Sequence, residues 1–154
     1  MSGGLEAVLS SNTDWLLDLP NYQKDLIDQL SRTRGWAETA EAWLQAASPN
    51  TAPFGVMAGA RIFYQKVLDE VHDLLCSRDK YDEERRTLAK EYGAGKITFT
   101  AGVTSYIAPA LGADPTMLAP VVAIVLTIVG QASLRAWCEL HSENRAQREG
   151  GYSA

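Results

Sequence analysis

All the histidines and cysteines of the chain fall into two short pairs. His72 is followed four residues later by Cys76, and Cys138 is followed three residues later by His141. Residues three or four apart share one face of a helix, so each pair can offer two ligands to one metal ion. Two thiolates and two imidazoles suit a closed, tetrahedral zinc site that joins two helices. We expect no cofactor unless the two pairs meet, in which case His72, Cys76, Cys138 and His141 are the ligands of one candidate zinc site.

Whether the two pairs meet depends on how the helices that carry them pack. Flush packing of the last helix against a long central helix leaves an offset of some eight residues between the pairs, or about 12 Å at the helical rise per residue. We therefore expect the pairs to stay apart, with free buried cysteines beside surface histidines.

Patterns typical of catalysis are absent from the sequence. No serine lies in a nucleophile elbow, and neither histidine has the neighbours of a catalytic triad. Carboxylates such as Asp69 and Asp73 fall on polar helix faces, where solvation explains them. Glu70 and His72 are too close in sequence to share a helix face, as carboxylate-bridged metal sites in bundles require. We expect a non-enzymatic protein with no small-molecule substrate.

The periodicity of apolar residues predicts an all-α fold, a helical bundle with a long central helix and an apolar hairpin in its C-terminal third. Segments 21–34 and 36–47 each have apolar residues at helical spacing. One continuous helix is predicted from Val56 to about Tyr92, because no proline or glycine cluster interrupts its later part. Its second half, from residue 78, is charged and is typical of a solvated stalk.

The apolar hairpin is predicted over residues 97–134. Seventeen uncharged residues separate Lys96 from Asp114, and twenty separate Asp114 from Arg135. The second run is as long and as apolar as a helix that crosses a bilayer. Lys90, Lys96 and Arg135 flank the open end, and the turn has no positive charge, which is typical of a hairpin with both ends in the cytoplasm. Its main apolar side chains are Phe99, Tyr106, Ile107, Leu111, Leu118, Val122, Val125, Leu126 and Val129.

Two further features indicate contacts with partners. Small residues four apart, Thr98 with Gly102 and Ala101 with Ser105, permit close helix approach and favour a homo-oligomer. Trp36 and Trp43 are seven residues apart and share a helix face. They are core anchors if buried, and candidates for a partner-binding patch if exposed.

Composition limits the class of protein and its compartment. Hydrophobic residues make up 46% of the chain and charged residues 21%, which is enough apolar material to form a core. The formal net charge of -5, without a basic arm, argues against nucleic acid as a partner. The start of the chain lacks the basic and apolar stretches of a signal peptide, and two cysteines are too few for a disulfide scaffold. We therefore expect a reducing cytosol.

These patterns divide the chain into five parts. We expect a flexible N-terminus (1–12), a helical module ending in a charged helix (13–92), the hairpin (97–134), a charged helical extension (135–149) and a flexible tail (150–154).

Two functions are compatible with this organisation, and the sequence favours the first. In the first, the helical module is a cytosolic interaction module, and the hairpin inserts into the inner or plasma membrane from the cytoplasmic side, as an anchor or as an oligomeric permeabilising effector. In the alternative, the protein is a soluble cytoplasmic adaptor or assembly protein, and the hairpin is buried in its own core or in a homo-oligomer interface. The partner is accordingly a lipid bilayer or a protein. The two hypotheses differ in what surrounds the apolar side chains of the hairpin.

Overall fold

The computed structural model describes residues 5, 7–9, 14–47, 56–77 and 79–151, and over these ranges the fold is all-α, as predicted. A 3₁₀ turn, Trp15–Asp18, precedes the main helices. These are α1 (Asn21–Ser31), α2 (Trp36–Ala47), α3 (Val56–Cys76), α4 (Asp82–Gly93), α5 (Phe99–Leu111), α6 (Pro115–Ala132) and α7 (Leu134–Gly151).

Several predictions for the ends of the chain and for the segments between helices concern residues outside these described ranges. Most of the predicted flexible N-terminus, the break after the second helix (48–55) and the last three residues of the tail lie outside the described residues. Leu5 and Leu9 are described, and both side chains are buried in the core.

Helix α6 occupies the centre of the bundle. It contacts the 3₁₀ turn and helices α1, α2, α3, α5 and α7. Half of it is buried, including the unbroken run 120–126. Of the hairpin side chains singled out in the sequence, Tyr106 and Leu111 pack partly buried against the core. The others are buried: Phe99, Ile107, Leu118, Val122, Val125, Leu126 and Val129.

Local signals determine where the hairpin helices begin. The Thr98 hydroxyl accepts a hydrogen bond from the amide of Ala101 (3.1 Å) and caps the N-terminus of α5. The Asp114 carboxylate caps α6 in the same way, accepting from the amide of Thr116 (2.9 Å), and Pro115 fills the first helical position. Between the two helices, Gly112 takes the left-handed conformation (φ 62°) that ends α5.

A proline inside α6 creates the hydrogen bond that attaches α1 to it. Pro120 has no N–H, so the carbonyl of Thr116, four residues earlier, lacks its helical donor. The side-chain amide of Gln23 donates to that carbonyl (3.0 Å), and the indole N–H of Trp43 donates to the next one, of Met117 (2.8 Å). Gln23 is only 2% exposed. Both α1 and α2 are thus tied to the first turn of α6.

The single helix predicted over residues 56–92 is wrong, because the structure divides it between Cys76 and Asp82. The hydroxyl of Ser77 accepts hydrogen bonds from two amides of the intervening turn, at 3.1 and 3.3 Å. Tyr81 takes a left-handed backbone conformation (φ 64°) just before α4. Hydrogen bonds between a serine side chain and nearby backbone groups compete with the hydrogen bonds of a helix, and in this turn they replace them.

Charged side chains predicted to form a solvated stalk instead close this turn. The guanidinium of Arg85 donates to the carbonyl of Leu74 at the end of α3 (2.8 Å), where the last carbonyls of a helix need partners from outside it. The hydroxyl of Tyr81 donates to the carboxylate of Glu70 (2.6 Å). The charged segment therefore folds back on α3 instead of extending from it.

Helix α4 covers the hairpin with its few apolar side chains. Leu88 is fully buried, and it lies so close to Gly102 of α5 that a Cβ at position 102 would collide with it. The rings of Tyr92 and Phe99 meet edge to face, with centroids 5.5 Å apart. The small residue at 102 therefore serves the approach of α4 to α5.

We predict that the hydrogen bond from Gln23 is coupled to the proline in α6. Replacing Gln23→Met leaves the Thr116 carbonyl without a donor in a partly buried site, and should lower the free energy of unfolding by about 1–2 kcal/mol. In a Pro120→Ala background the backbone N–H at position 120 returns, so the same change should cost less. Urea unfolding of the four proteins gives the coupling energy, and a coupling near zero would contradict this account.

Candidate functional site

Helix α7 runs antiparallel along α3 and brings the two histidine and cysteine pairs together. Cys76 and Cys138 form a disulfide with their Cα atoms 5.9 Å apart, and the rings of His72 and His141 have centroids 4.9 Å apart. The expected offset of about 12 Å is therefore wrong, and so is the expectation of free cysteines. The offset assumed a helix that continued past Cys76. Because α3 ends there, α7 aligns with α3 itself.

Both histidines are buried in the interface between α3 and α7, and are not at the surface as expected. His72 is 9% exposed and His141 is 7% exposed. His141 stacks parallel on Trp137, with centroids 5.3 Å apart, and its Nε2–H donates to the carboxylate of Asp69 (2.8 Å). This hydrogen bond fixes the proton of His141 on Nε2.

The proton of His72 is assigned by its neighbours in the same way. A guanidinium has only donors, so Arg145, 3.2 Å from Nδ1 of His72, donates to a bare nitrogen. The ring proton is then on Nε2, which lies 2.9 Å from the Ser142 hydroxyl and 3.2 Å from the Cys138 carbonyl. In this tautomer His72 donates to Ser142 and cannot take its proton. The pair therefore lacks the general base of a nucleophilic dyad.

Two carboxylates of α3 hold the rest of α7 through charged hydrogen bonds. Asp69 accepts from Arg148 (2.8 Å) as well as from His141, and Asp73 accepts from Arg145 (2.7 Å). Burial favours the neutral form of Asp69, but the hydrogen bonds from Arg148 and His141 outweigh burial and lower the pKa of this carboxyl group. The interface is thus a network of paired charges.

Both histidines are neutral at physiological pH, and burial is the main cause for each. Burial lowers the pKa of His72, and the nearby Arg145 lowers it further, although the carbonyl of Cys138 acts in the opposite direction. Burial also lowers the pKa of His141, against the opposing effect of its hydrogen bond to Asp69. Each imidazolium form is disfavoured because the ring would lose more hydration than its partners replace.

An open groove of about 630 Å³ borders the disulfide. Both cysteines are half-buried, and the groove is lined by His72, Asp73, Cys76, Ser77, Cys138, Glu139, Ser142 and Glu143. His141 is not among the lining residues, since it faces Asp69. With the two sulfurs bonded to each other, no group of three metal-ligating side chains is formed among the described residues. Three of the four ligands predicted from the sequence therefore share one groove, and the fourth points elsewhere.

The two tryptophans proposed for partner binding are part of the bundle. Trp43 is 8% exposed, with its indole N–H bonded to α6, so it is an internal anchor and offers no exposed patch. Trp36 is half-buried and packs against the core.

Sequence reasoning identified the histidines and cysteines of the site but missed the groups that hold them. Asp69 precedes His72 by three residues, and Arg145 follows His141 by four, so both continue the faces that carry the pairs. That spacing was the available signal. Ser142 follows Cys138 by four residues, so the same spacing places it on this face of α7.

Comparison with known proteins finds no counterpart: no family model, no curated protein and no solved structure matches the chain.

We predict that mild acid weakens the packing of α7 on α3. Both histidine pKa values lie below their ordinary 6.5, so the folded protein favours the neutral rings. Their contribution to stability is complete above pH 6.5 and is lost as the pH falls through that value towards the lowered pKa values. The contribution of Asp69 is complete above the ordinary value of 3.8 and is lost only in stronger acid, as the pH falls below that value towards its lowered pKa.

Urea unfolding of the oxidised protein at about pH 7.5 and about pH 5 measures this loss. The charged groups facing the rings are Asp69 and Asp73 from α3 and Arg145 and Arg148 from α7, and the lowered pKa of Asp69 keeps its carboxylate ionised over this interval. A His72→Gln, His141→Gln double variant should therefore show a flatter profile. An unchanged profile in that variant would assign the pH dependence to other groups.

Proposed function

We propose that the protein is a non-enzymatic, cytoplasmic helical-bundle module that self-associates, and that its apolar hairpin is its own core. One observation carries the proposal: the large apolar side chains of α5 and α6 face inward, whereas the exposed face of the hairpin carries small uncharged side chains. Because these large apolar side chains face inward, the hairpin has no broad apolar surface that lipid must cover. The outward set leaves a surface suited to close approach by another helix.

That surface forms a groove of about 270 Å³ between the start of α1 and the hairpin. Its lining is uncharged and consists of Pro20, Gln23, Ala101, Thr104, Ser105, Pro115, Thr116 and Ala119. Ala101 and Ser105 are exposed and lie four residues apart, on one face of α5. Small side chains at this spacing allow two helix backbones to approach closely.

Charge favours a second copy of the chain as the occupant of this groove. Each chain has a formal net charge of -5, so two copies repel each other over most of their surfaces. An uncharged groove is a place where they can meet without bringing carboxylates together. Helix α5 meets this condition, because no charged residue occurs between Lys96 and Asp114.

The paired side chains between α3 and α7 support a structural role for this interface over a catalytic one. Ser142 faces a histidine that donates to it, and the carboxylates of Asp69 and Asp73 are paired with Arg145, Arg148 and His141. Groups in this state stabilise an interface, and none is poised to accept a proton from a substrate.

We predict that Ala101→Arg abolishes self-association, because a long cation replaces a methyl group in the groove. Sedimentation velocity should give a concentration-dependent dimer for the unmodified protein and a monomer for this variant. Thr33→Arg adds the same charge at an exposed position beyond the opposite end of α1, and should leave the dimer intact. A monomeric unmodified protein at about 0.1 mM, or equal loss in both variants, would contradict the proposal.

Insertion of the hairpin into a membrane is the second candidate function, and α6 is the observation in its favour. Among the described residues, Pro115–Ala132 is the one helix long and apolar enough to cross a bilayer. The core helix of a water-soluble bundle has the same properties. Its partner α5 has 13 residues, or about 20 Å, against a hydrocarbon core of about 30 Å. Insertion of both helices therefore requires α5 to lengthen at one end.

Fractionation separates the two candidates. We expect the untagged protein in the soluble fraction without detergent, since its hairpin is enclosed by its own helices. Retention in a membrane pellet after an alkaline carbonate wash would favour insertion instead. Dye leakage from liposomes would then distinguish a permeabilising oligomer from an anchor.

A further inference from the structure

The groove beside the disulfide has a second chemical state, in which the two sulfurs are thiols. We propose that reduction of Cys76–Cys138 converts it into a zinc site, with the two thiolates and Nε2 of His72 as protein ligands. The proposal is independent of self-association. It follows from the compartment expected from the sequence, where thiols are kept reduced and disulfides that do form are transient.

The reduction needs a dithiol as co-reactant. A thiolate of that dithiol attacks one sulfur of the disulfide and forms a mixed disulfide with it. The second thiolate of the dithiol then attacks its own sulfur in this mixed disulfide and frees the second cysteine. The dithiol loses two electrons and two protons and becomes a disulfide, while each cysteine sulfur gains one electron and one proton. Access is provided by the open groove, since Cys76 and Cys138 are both partly exposed along it. Zinc binding then displaces the two thiol protons to solvent.

The backbone geometry suits a metal without separation of the helices. Zinc lies about 2.3 Å from a thiolate, so two sulfurs of a tetrahedral site are about 3.8 Å apart. The Cα atoms of Cys76 and Cys138 are 5.9 Å apart. Rotation about the Cα–Cβ bonds is enough to move the freed sulfurs from bonding distance to that separation.

His72 is placed to be the third ligand. It precedes Cys76 by one helical turn on the same face of α3, and its Nε2 lies 3.2 Å from the carbonyl of Cys138. To bind a metal at Nε2, the ring must carry its proton on Nδ1, so Arg145 has to leave that nitrogen. Arg145 keeps its stronger partner, Asp73, at 2.7 Å.

His141 is excluded from the ligand set, which distinguishes this site from the one predicted by spacing. Its Nε2 is bound to Asp69, on the turn of α3 that lies farther from Cys76. The fourth position therefore faces the groove, where Glu139 and Glu143 also lie. Their carboxylates attract a divalent cation and leave room for water or a carboxylate as the fourth ligand.

Cobalt(II) and zinc(II) titrations of the reduced protein test the proposal. Cobalt should give the near-ultraviolet thiolate charge-transfer band and the strong visible bands of a tetrahedral site, and zinc should abolish both at one ion per chain. The oxidised protein should show neither. Competition with a chromophoric chelator should give at least about tenfold weaker zinc binding for His72→Gln, and affinity within about twofold of the unmodified protein for His141→Gln.

Three results would overturn the proposal: no charge-transfer band in the reduced protein, equal binding by the oxidised protein, or equal weakening in His72→Gln and His141→Gln. Cys76→Ser should lose the charge-transfer band of a two-thiolate site. Helical circular dichroism of each variant shows whether it is folded. If the cysteine variant is unfolded, the zinc affinities of His72→Gln and His141→Gln still test the proposal, because neither variant changes a sulfur.

Discussion

Helix α6 has 18 residues without a charge on any face, and side chains of the neighbouring helices bury half of it; the rest of the structure depends on this enclosure. Helices α1, α2, α3, α5 and α7 all pack on α6. The backbone N–H and C=O groups of an enclosed helix must also have hydrogen-bond partners. Pro120 removes the donor of one carbonyl, and a buried glutamine replaces it; a buried tryptophan donates to the next carbonyl of the first turn. The same residues that cover α6 therefore also determine the register at which α1 and α2 are attached to it.

The helical class and the hairpin follow from patterns that are local in sequence. Charge-free runs end at Asp114, where a capping carboxylate and a proline begin the next helix, so the turn could be located from residue types alone. The break after Cys76 could not. The hydrogen bonds to Ser77 at this break are local, but the turn also depends on Tyr81 reaching Glu70 and on Arg85 reaching a carbonyl of α3, and these two contacts exist only once the chain has folded back.

The candidate site shows the same division between local and tertiary information. Spacing alone selected two pairs of residues that share helix faces, and these four side chains do lie near one another. Their register was wrong because it was inherited from the misplaced end of α3. The wrong position predicted for one helix end thus shifted the predicted position of α7 along α3 by about two turns. The residues predicted to lie near Cys76 were wrong for the same reason.

The interface of α3 and α7 also differs in kind from the rest of the bundle. Apolar burial along α7 is concentrated at its start, in Leu134 and Trp137. Farther along, attachment depends on paired charges, neutral imidazoles and one covalent bond. Proton and thiol concentrations act on these contacts and leave the apolar core untouched. Local opening of α7 therefore has chemical controls that unfolding of the hairpin lacks.

The disulfide has a topological consequence. It joins residues 62 positions apart, so α4, α5 and α6 belong to a closed covalent ring, with the segments before Cys76 and after Cys138 as two arms. A protease that cuts once inside the ring opens it but releases nothing, because both fragments remain linked through sulfur. A cut in either arm does release a fragment. In an oxidising compartment, the connections around the hairpin can therefore be nicked without loss of mass, whereas in a reducing one the same nick divides the protein.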